Sequence, residues 1–131
     1  TKDIAAMIAE PVLGEGGILV PPASYFRELK KVLDAHGILL IVDEVQTGFG
    51  RTGQWFGFQH AGVAPDVVTM AKAMGNGFPV GAVWARLEVA AAFQPGDHGS
   101  TYSGTAIATA VVSAVIAESS VEIVIVTANC L

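Results

Sequence analysis

Two side chains in this sequence could act together on a carbonyl compound, the carboxylate of Asp43 and the amine of Lys72. Each stands where an apolar run ends, so each is predicted to leave the end of a buried strand. A buried lysine amine is suited to imine formation, because desolvation and neighbouring groups lower the pKa of such an amine toward neutrality. A carboxylate beside it could keep the nitrogen of a bound aromatic ring protonated. The pair therefore predicts a buried pocket for imine chemistry.

The elements around this pair predict an α/β fold. Apolar runs at residues 4–9 and 38–42 read as strands, and the segment between them predicts a helix over 25–36, stopped by a glycine. Such a strand–helix–strand unit predicts parallel pairing. A third apolar run, 67–71, precedes the lysine. We expect a three-layer αβα arrangement, with helices on both faces of a mostly parallel sheet. Ligands bind at the carboxyl edge of open α/β sheets, so we expect the pocket at that edge.

The rest of the chain predicts further elements. A run at 80–84 reads as a fourth strand of undetermined direction, and the small and β-branched residues of 101–118 predict a buried helix. We expect residues 1–118 to form part of one domain. The tail 119–131 is atypical, and its apolar residues 121–126 predict a strand.

Composition excludes several classes of protein. Of the 131 residues 52% are hydrophobic, which is typical of sheets covered on both faces. A net charge of −5 with seven Lys plus Arg argues against nucleic-acid binding. The longest uncharged stretch, 99–117, holds many Ser and Thr residues, which argues against a membrane span. No His/Cys cluster has metal-ligand spacing.

The first residues and the cysteine content indicate what kind of chain this is and in which compartment it works. Residues 1–11 contain no signal-peptide pattern. Residues 1–3 run directly into the apolar segment 4–8, so we expect a fragment of a longer chain. Cys130 is the single cysteine, which is compatible with a reducing compartment. We therefore expect a cytoplasmic protein whose partners are small molecules and a second copy of itself.

Two segments resemble the cofactor signature of class III aminotransferases, which are fold-type I enzymes: ILLIVDEVQTGFGRTG at 38–53 and PDVVTMAKAMGNG at 65–77. The resemblance covers residues 4–118. It implies part of the large domain of a homodimeric transaminase that uses pyridoxal phosphate to move an amino group from an amino acid or ω-amino donor to a 2-oxo acid. Ornithine, acetylornithine and 4-aminobutyrate transaminases belong to the family, but residues 69–79 are most similar to alanine–glyoxylate members.

The resemblance also implies roles for single residues. Lys72 would be the Schiff-base lysine and the general base that removes the Cα proton. Asp43 would pair with the pyridinium nitrogen, as its position beside the lysine independently suggests. Val45 would pack on the ring, and Gln46 would hydrogen-bond near the ring hydroxyl.

The resemblance also implies roles for two residues farther from the cofactor ring. Glu10 would lie in the substrate pocket, paired with an arginine outside this chain, and Thr101 would bind the cofactor phosphate across the dimer interface. Family members commonly have Gln-Gly-Glu at 13–15 and Gly-Gly-Asn-Pro at 103–106, where this chain has Leu-Gly-Glu and Ser-Gly-Thr-Ala. We expect residues 1–131 alone to bind cofactor weakly and to turn over little or not at all.

Other interpretations of the same residues remain. The stretch 48–53 formally matches the dinucleotide-binding fingerprint, although five residues separate it from the strand end. The run that ends in Asp43-Glu44 resembles the second motif of P-loop ATPases, although no phosphate-binding loop accompanies it. Lys72 could be a surface lysine, Glu44 could pair with a structural arginine, and Thr101 could cap the last helix. A relative that keeps the fold without catalysis is also possible on these residues.

Overall fold

The computed structural model describes residues 3–101 and 104–118. The predicted strand at 121–126 therefore lies outside the described residues. The strands are β1 (Ala6–Ala9), β2 (Leu39–Asp43), β3 (Val67–Met70) and β4 (Ala82–Ala85); the α-helices are α1 (Tyr25–Ala35), α2 (Leu87–Ala90) and α3 (Ala106–Glu118); two 3-10 helices span Gly57–Ala61 and Lys72–Gly75.

The four strands form one sheet in the order β1-β2-β3-β4. β1, β2 and β3 are parallel, and β4 is antiparallel to β3. The predicted β1–α1–β2 unit and the α/β class with a mostly parallel sheet are confirmed. The direction of β4, which the sequence left open, follows from a connection too short to carry a crossover helix.

Helix α1 covers one face of the sheet. Its side chains Phe26 and Leu33 pack on Leu40 and Val42 of β2, both fully buried. The helix ends as the glycine predicted: Gly37 has φ +65°, and the amide of Ile38 donates to the Leu33 carbonyl oxygen at 2.9 Å. This pattern of a left-handed glycine and a bond back to the last turn is the Schellman motif.

The opposite face of the sheet is far less covered than the composition predicts. Leu39, Ile41 and Asp43 are only half-buried where their neighbours in β2 are fully buried. Farther out on this face, Ile8 and Val83 are each 59% exposed. Within the described residues, the dry core therefore lies between the sheet and α1.

A buried carboxylate, Asp66, secures the amino end of β3. One of its oxygens accepts a hydrogen bond from the amide of Leu40 at 2.7 Å and lies 3.5 Å from Lys30 Nζ. The other lies 2.9 Å from Arg86 Nε. Because these partners belong to β2, α1 and the end of β4, Asp66 ties three elements together at the edge opposite the predicted pocket.

The predicted C-terminal helix is present but begins later, at Ala106. Thr105 precedes it, and its Oγ1 accepts a hydrogen bond from the amide of Ala108 at 3.4 Å. α3 packs against the 3-10 helix Lys72–Gly75, where Met74 is buried. None of the helices in the described ranges is long and apolar enough to cross a membrane.

Candidate active site

The carboxyl edge of β2 and β3 brings together the two residues that the sequence singled out. Asp43 is the last residue of β2 and pairs in register with Thr69 of β3. Lys72 follows β3 after one residue and begins a 3-10 helix. The acid and the amine thus leave neighbouring parallel strands at the same edge, as the strand pattern predicts.

Lys72 differs from expectation in its surroundings. Its side chain is exposed, so the prediction of a buried amine is wrong for this chain. The physical reason is that no described residues pack over the Lys72 side chain and shield it from solvent. Its backbone has φ +47°, in the left-handed region that non-glycine residues rarely occupy. Such strain costs roughly 1–3 kcal/mol and is found mainly at functional sites.

Asp43 presents a carboxylate that is oriented on one side only. Its Oδ1 accepts a hydrogen bond from the amide of Val45 at 2.9 Å, which turns the chain sharply after β2. Within residues 3–101 and 104–118, Oδ2 receives no hydrogen bond and Asp43 has no ion pair. The half-buried carboxylate therefore retains acceptor capacity for a ligand that lies on the open face.

Glu10 and Gln46 meet around a glycine at the ends of β1 and β2. The amide of Gly14 donates to Glu10 Oε2 at 3.0 Å. A Cβ on residue 14 would lie 3.2 Å from Gln46 Cγ and 3.4 Å from Glu10 Oε2. Glu10 is half-buried and Gln46 is exposed, so both reach the rim of the same edge.

Glu44 has a different role from those considered in the sequence. It is fully buried, and its Oε2 accepts hydrogen bonds from Thr47 Oγ1 and from the amide of Gly57 at 2.9 Å. Its Oε1 accepts from the amide of Phe58 at 2.8 Å. No arginine pairs with it among the described residues. Glu44 is therefore a buried clamp that closes the loop between β2 and the first 3-10 helix.

That loop carries an aromatic cluster in place of a nucleotide-binding turn. Phe49 contacts Trp55 and Phe56 edge-on, with ring centroids 5.9 and 5.8 Å apart, and Phe56 stacks on Phe58 at 5.5 Å. A dinucleotide fingerprint requires a helix to open directly after its glycines. Here a 3-10 helix begins only at Gly57, so the dinucleotide-binding alternative is wrong.

Thr101 is exposed and lies just before residues 102–103, which are outside the described part. The residue at the N-terminal boundary of α3 is Thr105, so the idea that Thr101 caps this helix is wrong. The N-terminus of α3 therefore lies at residues 105–106 and not at Thr101. Thr105 stands where the family has asparagine, and both residue types favour the N-cap position. The sequence change thus keeps the cap.

Sequence reasoning missed Thr69. Its Oγ1 is buried and has no hydrogen-bond partner in the described part of the chain. The available signal was a hydroxyl in an otherwise apolar strand, placed by the alternation of β3 on the face that carries Asp43. The role of Asp66 was also missed, because its partners Lys30, Leu40 and Arg86 are distant in sequence and leave no local pattern.

Known proteins with similar sequences include transaminases and a racemase. The acetylornithine aminotransferase of Methanopyrus kandleri is 58% identical over 114 residues, which are 87% of this chain and 29% of that protein. The leucine/methionine racemase of Thermococcus litoralis is 49% identical over 88% of this chain and 26% of its own length. The chain thus spans less than a third of the curated relatives that it matches.

The fold is also similar to part of the fold of solved aminotransferase structures. An ornithine aminotransferase from Toxoplasma gondii, whose structure was described with partial occupancy of pyridoxal phosphate at the active site, superposes with a TM-score of 0.86 at 38% identity. The match covers 88% of this chain and 28% of that one. The family described as aminotransferase class-III matches residues 1–128. The chain therefore belongs to the class III aminotransferase family.

Proposed function

We propose that the protein, at its full natural length, is a pyridoxal-phosphate-dependent transaminase that moves the amino group of an amino acid or ω-amino donor to a 2-oxo acid. The observation that carries the proposal is that Asp43 ends β2 and Lys72 follows β3, two adjacent parallel strands of a class III chain. Residues 1–118 would be part of the large cofactor-binding domain.

The residues at the carboxyl edge fit this cofactor chemically. Lys72 offers an accessible amine for the aldehyde group, and Asp43 offers a carboxylate oxygen for the ring nitrogen. Val45 would pack on the ring, Gln46 would hydrogen-bond near the ring hydroxyl, and Thr101 would bind the phosphate. When bound, pyridoxal phosphate supplies an electron sink that stabilises negative charge at the substrate Cα.

The chain's own groups then have separate tasks. The Lys72 amine, once released by the incoming amino donor, accepts the Cα proton as general base and later returns a proton. Asp43 carries the negative charge that holds a proton on the ring nitrogen, and its bond from Val45 fixes the direction of the carboxylate. Glu44 holds the following loop in place from below.

Substrate choice is proposed from the relatives. Acetylornithine and ornithine aminotransferases lie among them, so we propose a donor of that type and no longer favour an alanine–glyoxylate enzyme. Glu10 would help to position the donor. A second activity, racemisation of an amino acid, has specific support in the Thermococcus litoralis relative. Both reactions begin with removal of the Cα proton, so the same residues serve either one.

We also propose that the full-length protein is a cytoplasmic homodimer. Thr101 is exposed and far along the chain from the β2–β3 edge, which suits a phosphate contact made to the site of a second copy. The measured mass in solution, by light scattering, tests this assembly. A monomer that binds cofactor fully would contradict it.

Borohydride labelling tests the proposed function. The protein at its full natural length is incubated with stoichiometric pyridoxal phosphate, reduced and digested, and the modified lysine is mapped by mass spectrometry. We expect the label on Lys72 and none on Lys31, which is also exposed and serves as an internal control for non-specific reaction. A label that avoids Lys72 would overturn the assignment. Incubation of N-acetylornithine or L-leucine with and without 2-oxoglutarate then separates amino transfer from racemisation.

A further inference from the structure

The hydroxyl of Thr69 is a buried polar group without a hydrogen-bond partner in the described residues, 3–101 and 104–118. A buried hydroxyl without a partner destabilises a protein, and such groups are rare enough to require an explanation. A valine of nearly the same shape would avoid the cost. The hydroxyl is therefore expected to have a use that the fold alone does not supply.

The neighbours of Thr69 in the sheet identify the acceptor. Thr69 is paired in register with Asp43 on one side and with Val83 on the other. Register partners project from the same face of a sheet, and adjacent strands lie about 4.8 Å apart. The valine has no polar atom, so the Asp43 carboxylate is the one acceptor among these two flanking side chains. The amide of Glu44 donates to the Thr69 carbonyl oxygen at 2.9 Å, which holds the two strands together beside Asp43.

We propose that Thr69 is a positioning residue for Asp43, and this inference rests on the proposed function. When the cofactor ring nitrogen pairs with Asp43, the Thr69 hydroxyl donates a hydrogen bond to the same carboxylate. The amide of Val45 already holds Oδ1 from one side. The hydroxyl holds the group from the β3 side, which stabilises the negative charge and fixes the carboxylate toward the open face.

A role through Asp43 predicts a separation between stability and binding. Because no group in the described residues hydrogen-bonds to this hydroxyl, Thr69→Val should leave the unfolding midpoint of the apoprotein unchanged or higher. The same substitution should weaken pyridoxal phosphate binding about tenfold or more, as expected for loss of one hydrogen bond to a charged group. A purely structural threonine would give the opposite pattern, with a less stable apoprotein and unaltered affinity.

The experiment uses the protein at its full natural length, with the dissociation constant of pyridoxal phosphate measured by fluorescence and apoprotein stability measured by thermal unfolding. Thr69→Ser keeps the hydroxyl and should restore affinity. Thr109→Val is a matched control, because that hydroxyl donates to the Thr105 and Ala106 carbonyl oxygens at the start of α3. In an Asp43→Ala background, Thr69→Val should have no further effect on binding.

The outcomes separate this inference from the proposed function. If the wild-type protein fails to take the borohydride label at Lys72, the proposed function falls first. If the label is intact but Thr69→Val binds cofactor as the wild type does, only the inference is overturned. An affinity loss that persists at full size in the Asp43→Ala background would also overturn it, because Thr69 would then act through another group.

Discussion

Replacement of Glu44 by glutamine should destabilise the apoprotein far more than loss of one charge on the surface would. In the wild type, Oε2 accepts from Thr47 Oγ1 and the Gly57 amide, and Oε1 accepts from the Phe58 amide. In its better orientation, glutamine keeps the first two bonds and turns its NH2 group toward the amide of Phe58. One bond to a charged group is lost and two donors, the Phe58 amide and the glutamine NH2 group, face each other without an acceptor, which together cost roughly 2–4 kcal/mol.

Urea unfolding of the Glu44→Gln apoprotein measures that loss. The control is Glu28→Gln, which removes an exposed ion pair in which Lys31 Nζ lies 3.0 Å from Glu28 Oε1 and both side chains are more than 60% exposed. Exposed pairs contribute about 0–1 kcal/mol, so the control should change little. Hydrogen exchange should also accelerate at the Gly57 and Phe58 amides. Equal stability of the two variants, with those amides still protected, would refute the clamp.

Two further substitutions test the opposite edge and the rim. Asp66→Asn should lower the free energy of unfolding by about 1.5–3 kcal/mol, because the buried side chain loses its charge and one of its two acceptor oxygens, so it can no longer accept from both the Leu40 amide and Arg86; urea unfolding measures this, and a change below 1 kcal/mol would contradict it. Gly14→Ala should displace the Gln46 side chain and weaken cofactor binding about tenfold, the cost of one lost hydrogen bond. Gly99→Ala, where a Cβ meets nothing, is its control, and equal affinities would sink the prediction.

The elements near α1 could be predicted because their signals are local. The helix begins at Tyr25 as predicted and ends beside Gly37, since amphipathic periodicity and a glycine stop are both written within a dozen residues. β2 was predicted at 38–42 and is observed at Leu39–Asp43. The carboxyl edge as a meeting place for Asp43 and Lys72 followed from one rule about parallel strands.

The remaining features depend on contacts between distant residues, which a single sequence does not display. Asp66 bonds the amide of Leu40, which lies far earlier in the chain, and Glu44 bonds amides on the far side of an aromatic loop. The exposure of Lys72 was also beyond reach, because burial depends on what stands over the sheet edge. The short helix α2 has no buried residue and hence no hydrophobic period to reveal it.

Register is the physical condition on which the candidate site depends. Successive side chains in a strand point to opposite faces, so a slip of β2 by one residue would turn Asp43 toward the dry α1 face. Two bonds oppose that slip at opposite ends of the same strand pair. Asp66 fastens the amino end through the Leu40 amide, and the Glu44 amide fastens the carboxyl end to the Thr69 carbonyl oxygen. A buried carboxylate at one end of the strand pair and a main-chain hydrogen bond at the other therefore help to keep Asp43 on the open face of the sheet.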